Sequence, residues 1–445
     1  MNMNIDRILR IAEIIQGIVS QLLKQPFVFM RTTGGKLFHV FNSLNHSQHL
    51  RRLPNVAPLN LIINSDLKDK PTLNVLIPGM SMQYMSGGPN TAINLTYRLA
   101  AQGVPVRFIS TDTSIDNNKD LLWRHFSSLT GITERLANVE ICSAANRSIP
   151  FAIGENDVFF GTAWWTVQMI KYALPLTKVK KFIYLIQEFE PGLYEFSSRY
   201  ALALETYDMN FYGIINEHFL ADYLCNHRIG NFADQKFIDN CAIFEPALDT
   251  RKFYSVNRTS HSRLKRLLFY ARPNAPRNLF ELGLNALQAA VLQGVFSNEN
   301  WELFFIGEPL PDIKLGNNLT IRNAPWLNYD DYAEFVRNSD IALSLMLSPH
   351  TSYPPLEVAA CAGIAITCSF SNKTQERLFE ISPNIIAVTP TVEAIFVGLK
   401  DAVEMVRANK KSYEKINMPT TWDDSFSKVM PKLVKMFHDC QHSVD

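Results

Sequence analysis

Short apolar runs alternate with helix-like segments through most of this 445-residue chain. Six runs in the first half have the length and the β-branched or aromatic content of strands: LNVLIP from Leu73, VPVRFIS from Val104, DVFFG from Asp157, KFIYLIQ from Lys181, MNFYGIIN from Met209 and CAIFEP from Cys241. Between them lie helical patterns such as NTAINLTYRLAAQ and YEFSSRYALALET. A polar stretch, DTRKFYSVNRTSHSRLK, runs from Asp249 to Lys265. The alternation then restarts with RLLFYA (Arg266), WELFFIG (Trp301), NLTIRN (Asn318), DIALSLML (Asp340), IAITCS (Ile364) and NIIAVTP (Asn384). Such alternation predicts a parallel sheet wrapped by helices, and its repetition predicts two sheets in tandem. Length agrees, because a chain of this size divides into domains of roughly 150 to 200 residues. The expected organisation is an N-terminal extension over 1–70, a first α/β domain over 71–250, a second over 251–420 and a terminal helix over 421–445.

The extension opens with MNMNIDRILRIAEIIQGIVSQLLKQ, which sets Ile5, Ile8, Ile11, Ile15, Ile18 and Leu22 on one helical face. Asp6 and Glu13 interrupt what would otherwise resemble a secretion signal, and no small-residue cleavage site follows. From Met1 to Leu53 there are seven Lys or Arg against two acids. Two readings stand: packing against the chain's own body or a partner, and peripheral docking of residues 5–24 on an anionic membrane. The expected location is cytoplasmic, at the inner face of the plasma membrane if the docking reading holds.

Composition narrows the function classes. A hydrophobic fraction of 47% with 11% aromatics excludes a disordered chain, and a formal net charge of +1 gives no basis for nucleic-acid binding through bulk charge. The six cysteines include no CxxC pair and no zinc spacing, which suits a reducing compartment. No apolar run reaches the length of a membrane span.

In α/β sheets ligands bind beyond the carboxyl ends of the strands, so the residues just after each strand are the candidates. After the first strand, Gly87 and Gly88 precede Pro89 at a helix start, either an anion-binding turn or an ordinary tight one. It is neither a GxGxxG fingerprint nor a Walker loop. GTAWWTVQ places Trp164 and Trp165 after another strand, where aromatic faces suit a sugar or simply fill the core. QEFEPG offers Glu188 and Glu190 as acceptor-hydroxyl ligands or as exposed loop acids.

In the second half, Arg272 ends a strand and Arg277 follows five residues later near a helix start. Two guanidiniums there oppose the helix dipole unless an anion lies between them, and Arg grips phosphate oxygens through its planar fork. Solvation at the surface is the other reading. The segment SPHTSYPPLEVAACAG reads as a sharp turn into a helix, with Glu357 expected in the first turn. There it either complements the dipole or accepts hydrogen bonds from ribose hydroxyls. No two aspartates have the DxD spacing, so no metal is expected and basic side chains would offset leaving-group charge.

RPNAPRN, LSLMLSPHTSYPPLEVA and, less specifically, QEFEPGLY resemble the GT-B glycosyltransferases of family 4, most of all the WsaF-type bacterial rhamnosyltransferases. The resemblance spans about residues 70 to 430. It implies an α/β GT-B fold: two Rossmann-like domains facing a cleft, here with an N-terminal helical extension. It also implies retaining transfer of rhamnose from dTDP-rhamnose to a saccharide or lipid-linked saccharide acceptor, in cell-surface glycan synthesis. The second domain would hold the donor and the first the acceptor, with no cofactor beyond the nucleotide-diphosphate sugar itself. Arg272 and Arg277 would take the diphosphate and act in catalysis, Glu357 the ribose, and Ser352 with Tyr353 would approach the diphosphate. NAPWLNYDDY would border the base, with Trp326 and Leu327 as contacts. The family has a second acid eight residues before Glu357, where this chain has Pro349 followed by His350, a histidine that either faces the cleft or has no role. A nucleotide-sugar 2-epimerase and an inactive sugar-nucleotide-binding relative are the competing implications.

Overall fold

The structure is a computed structural model and describes residues 56–442 except 68–69, 83–84, 86, 116–117, 257–263 and 325–326. The amphipathic start and Trp326 lie outside the described residues.

Every strand expected from an apolar run forms, and the runs assemble into two sheets of seven strands each. The first sheet is wholly parallel, in the order Val139–Ser143, Val106–Ser110, Leu73–Ile77, Val158–Gly161, Phe182–Ile186, Phe211–Asn216, Ala242–Phe244. The second runs Ile313–Gly316, Leu319–Asn323, Trp301–Gly307, Lys265–Ala271, Ile341–Leu343, Ile364–Cys368, Ile385–Val388, with only its first strand antiparallel. Helices cover both faces of each sheet, which is why the central strands are buried along their whole length and read as continuous apolar runs.

Four pairing segments escaped the pattern. Val139–Ser143 and Ile313–Gly316 are edge strands whose residues are largely half-buried or exposed, so neither shows a buried apolar run. Leu61–Ile63 pairs in parallel with Phe151–Ile153 outside both sheets.

DIALSLML corrects in the other direction. Only Ile341–Leu343 is strand; Ser344 still donates to the Ile366 carbonyl (2.8 Å), and the buried residues after it leave the sheet. They are held instead by the turn Pro276–Asn278, through the Leu347 N–H donating to the Arg277 carbonyl (2.8 Å) and Asn278 Nδ2 to the Leu345 carbonyl (3.1 Å). A buried chain outside a ladder needs such partners for its backbone groups. The consequence is that two ligand-edge loops of the second sheet are tied together.

The terminal segment is two helices, Trp422–Phe426 and Val429–His442, capped at Thr421, whose hydroxyl accepts from Asp424 N. Phe426, Leu433, Met436, Phe437 and Cys440 sit in the core of the first sheet, so the end of the chain crosses back from the second half to the first. Leu433 has no exposed surface there. Leu433→Ala is expected to lower the unfolding free energy by about 2–5 kcal/mol through lost transfer energy and the cavity left behind. Denaturant titration checks this; a loss within about 0.5 kcal/mol, the range of surface changes, would contradict the packing described.

Candidate active site

Both sheets reverse their strand order at one point, the place where sheets of this kind open a crevice outside the carboxyl ends of their strands. In the second sheet the point lies between the neighbouring strands Lys265–Ala271 and Ile341–Leu343. Arg272 follows the first of these and SPHTSYPPLE follows the second, so the fold brings both sequence candidates to one edge.

Arg272 is exposed at its tip and lies 3.6 Å from Glu308. Arg277 sits in the short 3₁₀ turn Pro276–Asn278, with its Nε buried, without a hydrogen-bond partner, and 3.9 Å from Glu188 Oε2. Glu188 belongs to the first domain and also accepts a hydrogen bond from the Ser348 hydroxyl of the second. It is therefore not a loop acid in solvent but a carboxylate spanning the two domains. Its neighbour Gln187 donates to the Gly88 carbonyl at 3.1 Å, which joins the Gly87–Gly88 helix start to the same network. Gly87 has φ +47°, where a glycine is favoured.

The helix expected after the two prolines runs Tyr353–Ala360. Glu357 lies in its second turn, not the first, so dipole complementation does not account for it. Among the first four positions Pro354 and Pro355 carry no N–H, which leaves Tyr353 and Leu356 as the amide donors at that end. Glu357 is 6% exposed and accepts from the Tyr332 hydroxyl at 2.5 Å. Burial pushes its carboxyl up to about 7, against the lowering effect of that hydrogen bond. The hydroxyls of Tyr332, Tyr329 and Tyr353 are raised by burial first and by the charge of Glu357 second.

The turn before this helix is strained and internally braced. Ser352 has φ +69° and its side chain makes no capping bond; its N–H instead donates to His350 Nδ1 at 3.0 Å. His350 thus shapes the turn, and its carbonyl accepts from Lys373 Nζ at 3.2 Å. Lys373 has no exposed surface, and burial lowers its ammonium to about 8. Glu217, also fully buried, binds the backbone and hydroxyl of Thr351 from the first domain.

The remaining candidates go elsewhere. Trp164 has no exposed surface and donates its indole N–H to the Tyr194 hydroxyl (3.0 Å), so it is core. Trp165 is half-buried and donates to Asp112 at 3.0 Å. Glu190 caps the helix Trp164–Ala173, accepting from Trp164 N (2.7 Å) and the Tyr184 hydroxyl (3.0 Å), and burial raises it to about 8. Leu327 lines a cavity of about 620 Å³ with Arg266 and Glu302, residues at the amino ends of their strands. Among the described residues no three His, Cys, Asp or Glu side chains converge as a metal ligand set would.

Sequence reasoning missed Ser348, Thr351, Glu217 and Lys373. Glu217 is the first residue after the strand Phe211–Asn216, so inspection of strand ends would have found it. Lys373 carried no signal, because its importance comes only from burial.

The architecture defines the class: two Rossmann-like domains with a cleft between their ligand edges, the GT-B fold. The chain belongs to the WsaF family, matching its N-terminal domain over residues 72–216 and its C-terminal domain over 265–400. A curated relative, the O-antigen biosynthesis protein RfbC of Myxococcus xanthus, is 28% identical over 282 residues, which is 62% of this chain. The chain spans only about a fifth (21%) of that protein's length. Among solved structures, Anabaena Alr3699/HepE in complex with UDP-glucose is similar with a TM-score of 0.52 at 9% identity, over 84% of this chain and 99% of that one. Sucrose-phosphate synthase from Thermosynechococcus elongatus gives 0.51 at 11%, over 83% and 100% respectively.

Glu357 also has a pH signature. Its folded-state value of about 7 lies above its ordinary 4.5, so the native state keeps this proton to higher pH than the unfolded chain does. The stability it contributes is full at acid pH and is lost as pH rises through about 7. Glu357→Gln is therefore expected to flatten the fall in unfolding free energy between about pH 5 and pH 7. Identical slopes in the two proteins would contradict the assignment.

Proposed function

We propose that the protein is a glycosyltransferase of cell-surface polysaccharide synthesis that moves a sugar from a nucleoside-diphosphate donor to a saccharide acceptor. Rhamnose from dTDP-rhamnose is the donor this reading favours, on the resemblance of RPNAPRN and LSLMLSPHTSYPPLEVA to the WsaF-type rhamnosyltransferases. WsaF membership, the O-antigen relative and a fold shared with a UDP-glucose-binding structure support the general reaction. The observation that carries it is the meeting of Arg272, Arg277 and the Ser348–Glu357 segment at the switch point of the second sheet.

The residues there have the chemistry that such a donor needs. Arg277, held only loosely by Glu188 at 3.9 Å, and Arg272, 3.6 Å from Glu308, have guanidinium capacity for a diphosphate. Glu357 in its ring of tyrosines offers a carboxylate to ribose hydroxyls. In a retaining reaction the bond from the anomeric carbon to the diphosphate oxygen breaks, and a bond to the acceptor oxygen forms on the same face. The departing diphosphate takes the acceptor proton, while the two arginines offset the charge it gains. The prolines at the helix start reduce the amides available for that task and leave more of it to the guanidiniums. Among the described residues no helix is long and apolar enough to cross a membrane, and any membrane contact of residues 5–24 belongs to the proposal.

Arg272→Ala and Arg277→Ala are each expected to cut donor turnover by about 10²–10³-fold, the range for removal of one preorganised charge-stabilising donor. Measuring dTDP and UDP release from their sugar nucleotides, with and without saccharide acceptors, checks this. Unchanged kinetics in both variants would remove the diphosphate assignment. Conversion of donor at the same rate without any acceptor would favour an epimerase instead.

A further inference from the structure

Glu217 is a buried acid that the diphosphate and ribose assignments leave unexplained. It follows the last residue of the strand Phe211–Asn216, has no exposed surface and sits at φ +81°, a conformation that side-chain-bearing residues rarely adopt. Removing a carboxylate from water is costly unless donors satisfy it, and backbone strain persists only where the surroundings over-determine it. Both costs fall on one residue, so the contact that results is the thing to explain.

That contact reaches into the other domain. Glu217 Oε1 accepts from the Thr351 N–H and Oε2 from the Thr351 hydroxyl, each at 2.6 Å. Thr351 stands between His350 and Ser352, in the turn that heads the helix bearing Glu357. Lys373 braces the same turn from within its own domain, donating to the Met346 and His350 carbonyls at 3.2 Å. Glu188 differs: it is partly exposed and shared between Ser348 and Arg277, so an incoming anion can displace it. Glu217 has both oxygens committed to a single residue.

We propose that Glu217 is a positioning residue that shapes the donor-binding turn from the opposite domain, so that the turn takes its binding form only while the domains are closed. This rests on the reading of the Ser348–Glu357 segment as the donor site. It makes domain closure and donor affinity two sides of one equilibrium: loss of the clasp weakens nucleotide binding, and nucleotide binding favours closure. Glu217 itself touches no substrate.

The test titrates dTDP and UDP calorimetrically into the full chain as wild type, Glu217→Gln, Thr351→Val and the double variant, below every unfolding transition. X-ray scattering of the nucleotide-free proteins runs in parallel. Each single variant is expected to lose about tenfold or more in affinity and to show a larger radius of gyration. The double variant is expected to lose no more than either alone, because both act on the one hydrogen bond between Glu217 Oε2 and the Thr351 hydroxyl. Thr351→Ser keeps the N–H and the hydroxyl and is expected to restore what Thr351→Val loses. If Glu217→Gln does not fold, the Thr351 pair decides. Wild-type affinity in the single variants, fully additive losses, or failure of the Thr351→Ser rescue would overturn the proposal. Absence of nucleotide binding by the wild type would instead overturn the donor-site reading, and this proposal with it.

Discussion

Carboxylates enclosed between two domains are unfavourable unless donors meet them, and this requirement decides how the ligand edges of the two sheets face each other. Glu217 finds both its donors on Thr351, and Glu188 finds Ser348 and the flank of Arg277. Every one of those partners belongs to the second domain, in the loops after Lys265–Ala271 and Ile341–Leu343. The turn that carries His350 and Ser352 is thus held from one side by the first domain and from the other by Lys373. The crossing of the terminal helix back onto the first sheet adds a covalent reason for the halves to stay together.

The same polar economy connects structure to chemistry. Under the proposed function, groups that partner carboxylates in this structure are also the ones an anionic donor would meet. Arg277 is only weakly engaged, since 3.9 Å from a carboxylate oxygen is an ion pair without a hydrogen bond. Glu357 is held near neutrality by burial, and hydroxyl groups donating to it would favour its charged form. A site of this kind gains its interactions with ligand by exchanging internal partners rather than by filling an empty shell.

Much of the fold was legible because buried parallel strands must be apolar along their length, and runs such as KFIYLIQ and IAITCS announce that. The edge strand Val139–Ser143 was silent because only one of its five residues is fully buried, so no continuous apolar run is required. DIALSLML misled because its last residues are buried without being in a sheet. The placement of Arg272 and Arg277 at the ligand edge was legible from their position after a strand, and that of Glu357 from the proline turn, although it sits one turn further in than expected. For Trp164 and Glu190 a ligand role stood open beside a core or loop one, because a sequence does not distinguish a side chain aimed into the cleft from one aimed beneath it. Glu217 was legible as a strand-end residue, but its contact with Thr351 across the domains and the contact of Lys373 with His350 join residues more than twenty apart, and no local pattern encodes such contacts.

The central claim is that a pyrophosphate is held at the switch point of the second sheet. A crystal structure of the protein with dTDP or UDP tests it most directly. The account predicts phosphate oxygens within hydrogen-bond distance of the Arg277 and Arg272 guanidiniums, Glu188 withdrawn from Arg277, and a ribose hydroxyl on Glu357. A nucleotide bound elsewhere, with Arg277 still facing Glu188 and Glu357 still bonded only to Tyr332, would contradict it.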